Sequence, residues 1–148
     1  DRAHAVELLK QTITSGNALH KFAEFVKAQG GDPEDVMIPG RLPVASEKIE
    51  AKAAADGFVT DILAEQIGVA CMTLGGGRET KESAIDLSVG IYLKKKIGAP
   101  VSRGDVIAEI YTNDKMRGAD AKKLVEDAYR YGETAPEKRQ MIRKIITE

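Results

Sequence analysis

A chain of 148 residues with 43% apolar and 30% charged residues has the composition of an ordinary globular protein, one domain or one domain with a helical extension. Twenty-two basic residues against twenty-three acidic ones leave a net charge of −1, so no global field exists to draw in nucleic acid, and no apolar run is long enough to span a bilayer. The single cysteine, Cys71, leaves no internal disulfide framework and fits a reducing setting.

The opening Asp1-Arg-Ala-His-Ala-Val does not read as a secretory leader. It carries no Met and reads as the inside of a helix, so the chain is expected to be a piece of a longer one. Ala5, Leu8, Leu9 and Ile13 recur at helical spacing, and Ser15-Gly16 interrupts them. Leu19, Phe22, Ala23 and Val26 predict a second helix, which Gly30-Gly31 ends; Asp32-Pro33 argues against a restart. Pro39-Gly40 and Pro43 make residues 36–46 an extended linker, between a helical segment at 1–35 and a second domain at 47–148.

Beyond the linker the apolar period changes from 3.6 to 2. Strands are predicted over 48–53 and 58–63 around the turn signal Asp56-Gly57. A helix follows over 64–74, with Ile67, Cys71 and Leu74 in one stripe and the glycines 75–77 at its end. Ile85, Leu87, Val89, Ile91 and Leu93 alternate as a strand over 85–93. After the turn 98–105 a strand over 106–111 turns Val106, Ala108 and Ile110 inward. A helix over 120–131 buries Ala121, Leu124, Val125 and Ala128. The carboxyl end carries two competing signals: Thr134-Ala-Pro-Glu137 has the form of a capping box, whereas residues 142–146 suit a short strand. The expected fold is α+β: a mostly antiparallel, half-barrel-like sheet with covering helices, preceded by a two-helix extension.

Chemistry-bearing residues are sparse. His4 and His20 lie in the amino-terminal helices with no ligand-spaced partner, so no metal site is expected. Lys94, Lys95 and Lys96 read as a solvated rim. Ser83 has no histidine near it to serve as a base. Gly75, Gly76, Gly77 and Arg78 lack the Gly-Lys-Ser/Thr ending of a P-loop and follow a helix instead of preceding one. They read either as a helix cap with a linker or as a mobile, cleft-facing loop that brings Arg78 near an anion. The pattern Gly98-x-x-Val101-x-x-Gly104-Asp105 is also found in biotinyl and lipoyl carrier domains, with Lys115 near the modified position; here no Met precedes that lysine, and a helix is predicted where a strand should return.

The chain resembles the pyrimidine nucleoside phosphorylases, the family that includes thymidine phosphorylase. The pieces that carry the resemblance are Ser15-Gly-Asn-Ala-Leu-His-Lys-Phe22, Gln29-Gly-Gly-Asp-Pro33, Ala55-Asp-Gly-Phe-Val59, Leu74-Gly-Gly-Gly-Arg78, Ile85-Asp-Leu-Ser-Val-Gly-Ile91 and Gly104-Asp-Val-Ile-Ala108, in that order. The resemblance implies a cytoplasmic homodimeric transferase that converts a pyrimidine nucleoside and phosphate, its co-substrate, to the base and a pentose-1-phosphate. It further implies that residues 1–31 close an α/β domain and 46–148 form the C-terminal domain, whose partners are the parent's helical and α/β domains. No catalytic or substrate-binding residue carries over, because the motifs for those sites come from sequence outside this chain. No cofactor is implied for it. Family members close with a strand, which favours a strand over 142–146. A carrier domain or a free-standing interaction module is the alternative reading.

Overall fold

The computed structural model describes residues 1–148 except Pro39, Glu79, Arg139, Arg143, Thr147 and Glu148. It divides into two compact units, Asp1–Pro43 and Val44–Glu148.

The first unit holds α1 (Arg2–Thr14), α2 (Asn17–Ala28) and α3 (Glu34–Met37). Asp1 caps α1 by accepting from the His4 amide at 2.9 Å. Gly16, with φ of +79°, makes the left-handed corner between α1 and α2. The apolar periodicity forms helices but little core here: Ala23 is buried, whereas Leu9, Ile13, Phe22 and Phe25 are exposed. The chain does restart as a helix after Asp32-Pro33. Pro33 has φ of −61°, which suits a first turn, and the Asp32 carboxylate accepts from the Glu34 amide at 2.9 Å. Arg41 then clamps the turn, bonding Asp32 at 2.8 Å and Asp35 at 3.2 Å and pairing with Glu34.

The second unit is α+β with antiparallel strands, as the alternation implies. They divide between two sheets instead of forming one. Strands β1 (Glu47–Lys52), β3 (Gly90–Leu93) and β5 (Val106–Thr112) form a sheet in the order β1-β5-β3; β2 (Gly57–Ile62), β4 (Pro100–Val101) and β6 (Tyr129–Gly132) form one in the order β4-β2-β6. Helices α4 (Ala64–Cys71) and α5 (Lys115–Ala128) complete the unit. β5 is the central strand, with Ile49, Ile110 and Ile91 aligned across β1, β5 and β3. The core takes Ala51, Val59, Ala70, Ile107, Ala108, Ile110, Ala121 and Val125. Ile107, predicted to face outward, is fully buried because both faces of β5 are covered. Ile49, Ile67, Val89, Ile91 and Leu124 are half-buried against that core. Further along β5, Glu109 lies 3.2 Å from both Lys48 and Lys94, whose hydrogen bonds hold its carboxyl below the usual range.

Two predicted elements end differently. The strand expected over 85–93 begins only at Gly90, and Leu87 is 82% exposed. The helix expected over 120–131 starts at Lys115, where Asp114 accepts from the amides of Met116 (2.8 Å) and Arg117 (3.1 Å), and it stops at Ala128. Tyr129 and Tyr131 then supply the aromatic character that suits β6. Gly118 lets α5 lie close on the first sheet: a Cβ there would stand 2.6 Å from Ile49 Cδ1 and 2.7 Å from Thr112 Cγ2. The capping signal at 134–137 produces no helix, and no strand occurs among the described residues of 142–146; Arg143 in that span lies outside them.

Tyr129 ties the sheets together. Its hydroxyl lies 2.9 Å from the Lys95 carbonyl oxygen and 3.2 Å from that of Ile107, and it donates its one proton between them. Burial, with the neighbouring Tyr131 as a smaller cause, pushes its pKa up to about 12. A folded-state pKa above the unfolded one means that the neutral phenol's contribution is intact below pH of about 10 and is lost as the pH rises to about 12. Urea midpoints measured across that window should fall steadily, and Tyr129→Phe, less stable at neutral pH, should flatten the fall. An equal alkaline slope in both proteins would contradict the assignment.

Candidate functional site

The glycine segment is built as a wide turn, not as a free loop. α4 runs on into a π-helical turn over Met72–Gly76, and Leu74 within it is buried. Gly75 has φ of +95°, a left-handed conformation that favours glycine. Gly76 is required by space: a Cβ there would lie 2.9 Å from Cys71 Sγ and 3.3 Å from Val89 Cγ2. Gly77 is extended, and Arg78 beyond it is exposed. Gly75 and Gly76 therefore sit at the core's edge, while Arg78 reaches solvent. Beyond Glu79, which lies outside the described residues, Thr80 and Ser83 close a small turn: the Thr80 amide donates to Ser83 Oγ at 3.0 Å.

The Gly75 carbonyl accepts from the Asp86 amide at 2.9 Å, which fastens the turn to the segment before β3. Asp86 and Ser88, read from sequence as alternating strand residues, form a polar knot. Asp86 Oδ1 accepts from the Ser88 hydroxyl (2.6 Å) and amide (2.9 Å); Asp86 Oδ2 accepts from Asn113 Nδ2 at 2.8 Å. These bonds, those from Ser88 first, hold the Asp86 carboxyl below its ordinary range. Asn113 also accepts from the Ser46 amide at 2.9 Å, and the Ala45 amide donates to the Ser88 carbonyl at 3.1 Å. The entry to β1, the end of β5 and the glycine turn thus meet at one place. An Asp-x-Ser spacing is the turn signal in the sequence that finds Asp86 and Ser88, since such side chains bond the backbone two residues on and compete with a ladder.

Arg117, absent from the sequence-derived candidates, stands over this turn. Its Nη1 lies 3.6 Å from the point that a Cβ on Gly75 would occupy. A cavity of about 220 Å3 opens between Met72, Gly75, Gly77, Ser83, Ala84 and Arg117. Lys115 opens α5 and lies 3.5 Å from Glu47. Among the described residues no group of His, Cys, Asp or Glu is arranged to hold a metal, and no helix is long and apolar enough to cross a membrane. The site offers cationic and hydroxyl groups around a glycine turn.

Comparison with known proteins gives the class. The family model described as pyrimidine nucleoside phosphorylase C-terminal domain matches residues 58–132, from β2 to the end of β6, and the chain belongs to that family. A pyrimidine-nucleoside phosphorylase of Staphylococcus epidermidis is 46% identical over 144 residues, covering 97% of this chain and 33% of that protein. One from Staphylococcus aureus is 44% identical over 146 residues, covering 95% of this chain and 32% of its own length. One from Geobacillus stearothermophilus is 43% identical over 123 residues, covering 83% and 28%. The chain spans about a third of the length of these curated relatives.

Proposed function

We propose that this chain is the carboxyl-terminal third of a pyrimidine nucleoside phosphorylase, which transfers the pentose of a pyrimidine nucleoside to phosphate and releases the base. The observation that carries the reading is the continuous similarity to relatives of that name along 97% of the chain. In this reading the first unit, Asp1–Pro43, closes the parent's α/β domain, and the second, Val44–Glu148, forms the C-terminal domain of a cytoplasmic homodimer. The chain supplies no catalytic residue. Its task is to back the active-site cleft, with the segment from Gly75 to Ser83 facing that cleft as it closes. Arg78 is the side chain that engages the facing domain, because an exposed guanidinium can fork onto a carboxylate or backbone carbonyl.

The test is Arg78→Ala in the full-length parent, with Lys123→Ala on the exposed surface of α5 as the control. We expect Arg78→Ala to lower kcat by about tenfold at an unchanged melting temperature, the loss of roughly one charge-assisted hydrogen bond. Lys123→Ala should keep parental kinetics. If both variants do, the loop is a connector and its proposed role falls.

A further inference from the structure

The cavity beside the glycine turn has a feature that the loop's proposed role does not use. Arg117 leans over Gly75, and the nearby carboxylates accept hydrogen bonds from other groups. Asp86 gives its oxygens to Ser88 and Asn113, and Asp114 accepts the amides of Met116 and Arg117. Among the described residues Arg117 takes part in no ion pair. Its concave surroundings have walls without side chains at Gly75 and Gly77 and a hydroxyl at Ser83.

We infer that this cavity binds a small oxyanion of the phosphate or sulfate type, held by the Arg117 guanidinium and met by the Ser83 hydroxyl. A guanidinium presents two parallel N–H groups to two oxygens of such an anion, which makes it selective for oxyanions over chloride. Gly75 carries no side chain, so its backbone lies open beside Arg117, whose Nη1 stands 3.6 Å from where a Cβ would be. The site does not depend on the end of α5, because Asp114 already occupies its first-turn amides. A volume of about 220 Å3 admits a tetrahedral anion with water around it. Occupancy ties the turn closed by Ser83 to α5, so a bound anion holds the far side of the glycine loop. The inference rests on the geometry of this chain alone and stands or falls separately from the role given to Arg78.

The test is an amide NMR titration of the 148-residue chain with inorganic phosphate, repeated with sodium chloride at matched ionic strength. Phosphate should give saturable shifts at Gly75, Gly77, Ser83 and Ala84, and chloride only small linear ones. Arg117→Gln should weaken phosphate binding by about tenfold or more, whereas Arg78→Gln should leave it within about twofold, since one charge-assisted contact is lost only in the first. Arg117→Lys, which keeps the charge but not the fork, should fall between them and covers the case in which the glutamine variant does not fold. Equal shifts with phosphate and chloride, or parental affinity in the folded Arg117 variants, would overturn the site.

Discussion

Ile110→Ala is expected to destabilise the protein by about 2–5 kcal/mol, the range for removing a large aliphatic side chain from a packed core. Ile110 is fully buried, on the strand that both neighbours of its sheet pair with, opposite Ile49 on one side and Ile91 on the other. Little can move in to fill the space. Truncation forfeits the transfer free energy of the lost groups and leaves a cavity against α5 and the first sheet. Leu87→Ala is the matched control. Leu87 belongs to the same apolar alternation in the sequence, yet it is 82% exposed, and its loss should change stability by less than about 0.5 kcal/mol. Urea unfolding of both variants decides the matter, and equal losses would mean that residues 85–89 are a core strand after all.

A second large effect is expected at Gly57. Its φ is +126°, and a Cβ there would stand 2.4 Å from the Gly132 carbonyl oxygen. That neighbour is backbone of the paired strand β6, so it cannot rotate aside as a side chain would. Gly57→Ala must spread β2 from β6 or change the turn that begins β2; strain and overpacking together should cost roughly 2–5 kcal/mol. Gly90→Ala, on the other sheet, should be nearly silent, because its φ is not positive and nothing lies within 4 Å of the added carbon. If the two substitutions cost the same, the close approach of β2 and β6 is not real.

Much of the fold could be read from local signals. Glycines at 16 and 57, the Asp56-Gly57 turn and the alternation through β1 and β5 gave elements within a few residues of where they lie. What the periodicity could not show was partnership. β2 alternates like a member of one sheet, but it pairs with β4 and β6, and β6 is hidden at the end of a helical pattern. Ile107 reads as an outward residue until both faces of β5 are seen to be covered. At 85–89 hydrophobic alternation competed with the bonding of Asp86 and Ser88, and the polar side chains won because they satisfy backbone groups locally.

The candidate site was half legible. The run Gly75-Gly-Gly-Arg78 stands out in sequence, and so does its position after an apolar helix. That Gly76 answers to Cys71 and Val89, and that Arg117 some forty residues later shares its cavity, are facts of packing which no local pattern carries. The resemblance to nucleoside phosphorylases rested on the order of short motifs, and the family model places β2 through β6 in that family.

The measurement that bears most directly on the account is phosphate-dependent release of base from uridine and thymidine, assayed in parallel with the full-length parent and with this 148-residue chain. Base and pentose-1-phosphate are expected from the parent, at a rate that vanishes without phosphate, and no turnover from the chain alone. Phosphorolysis that copurifies with the isolated chain, or a folded parent that cleaves neither nucleoside with phosphate, would contradict it.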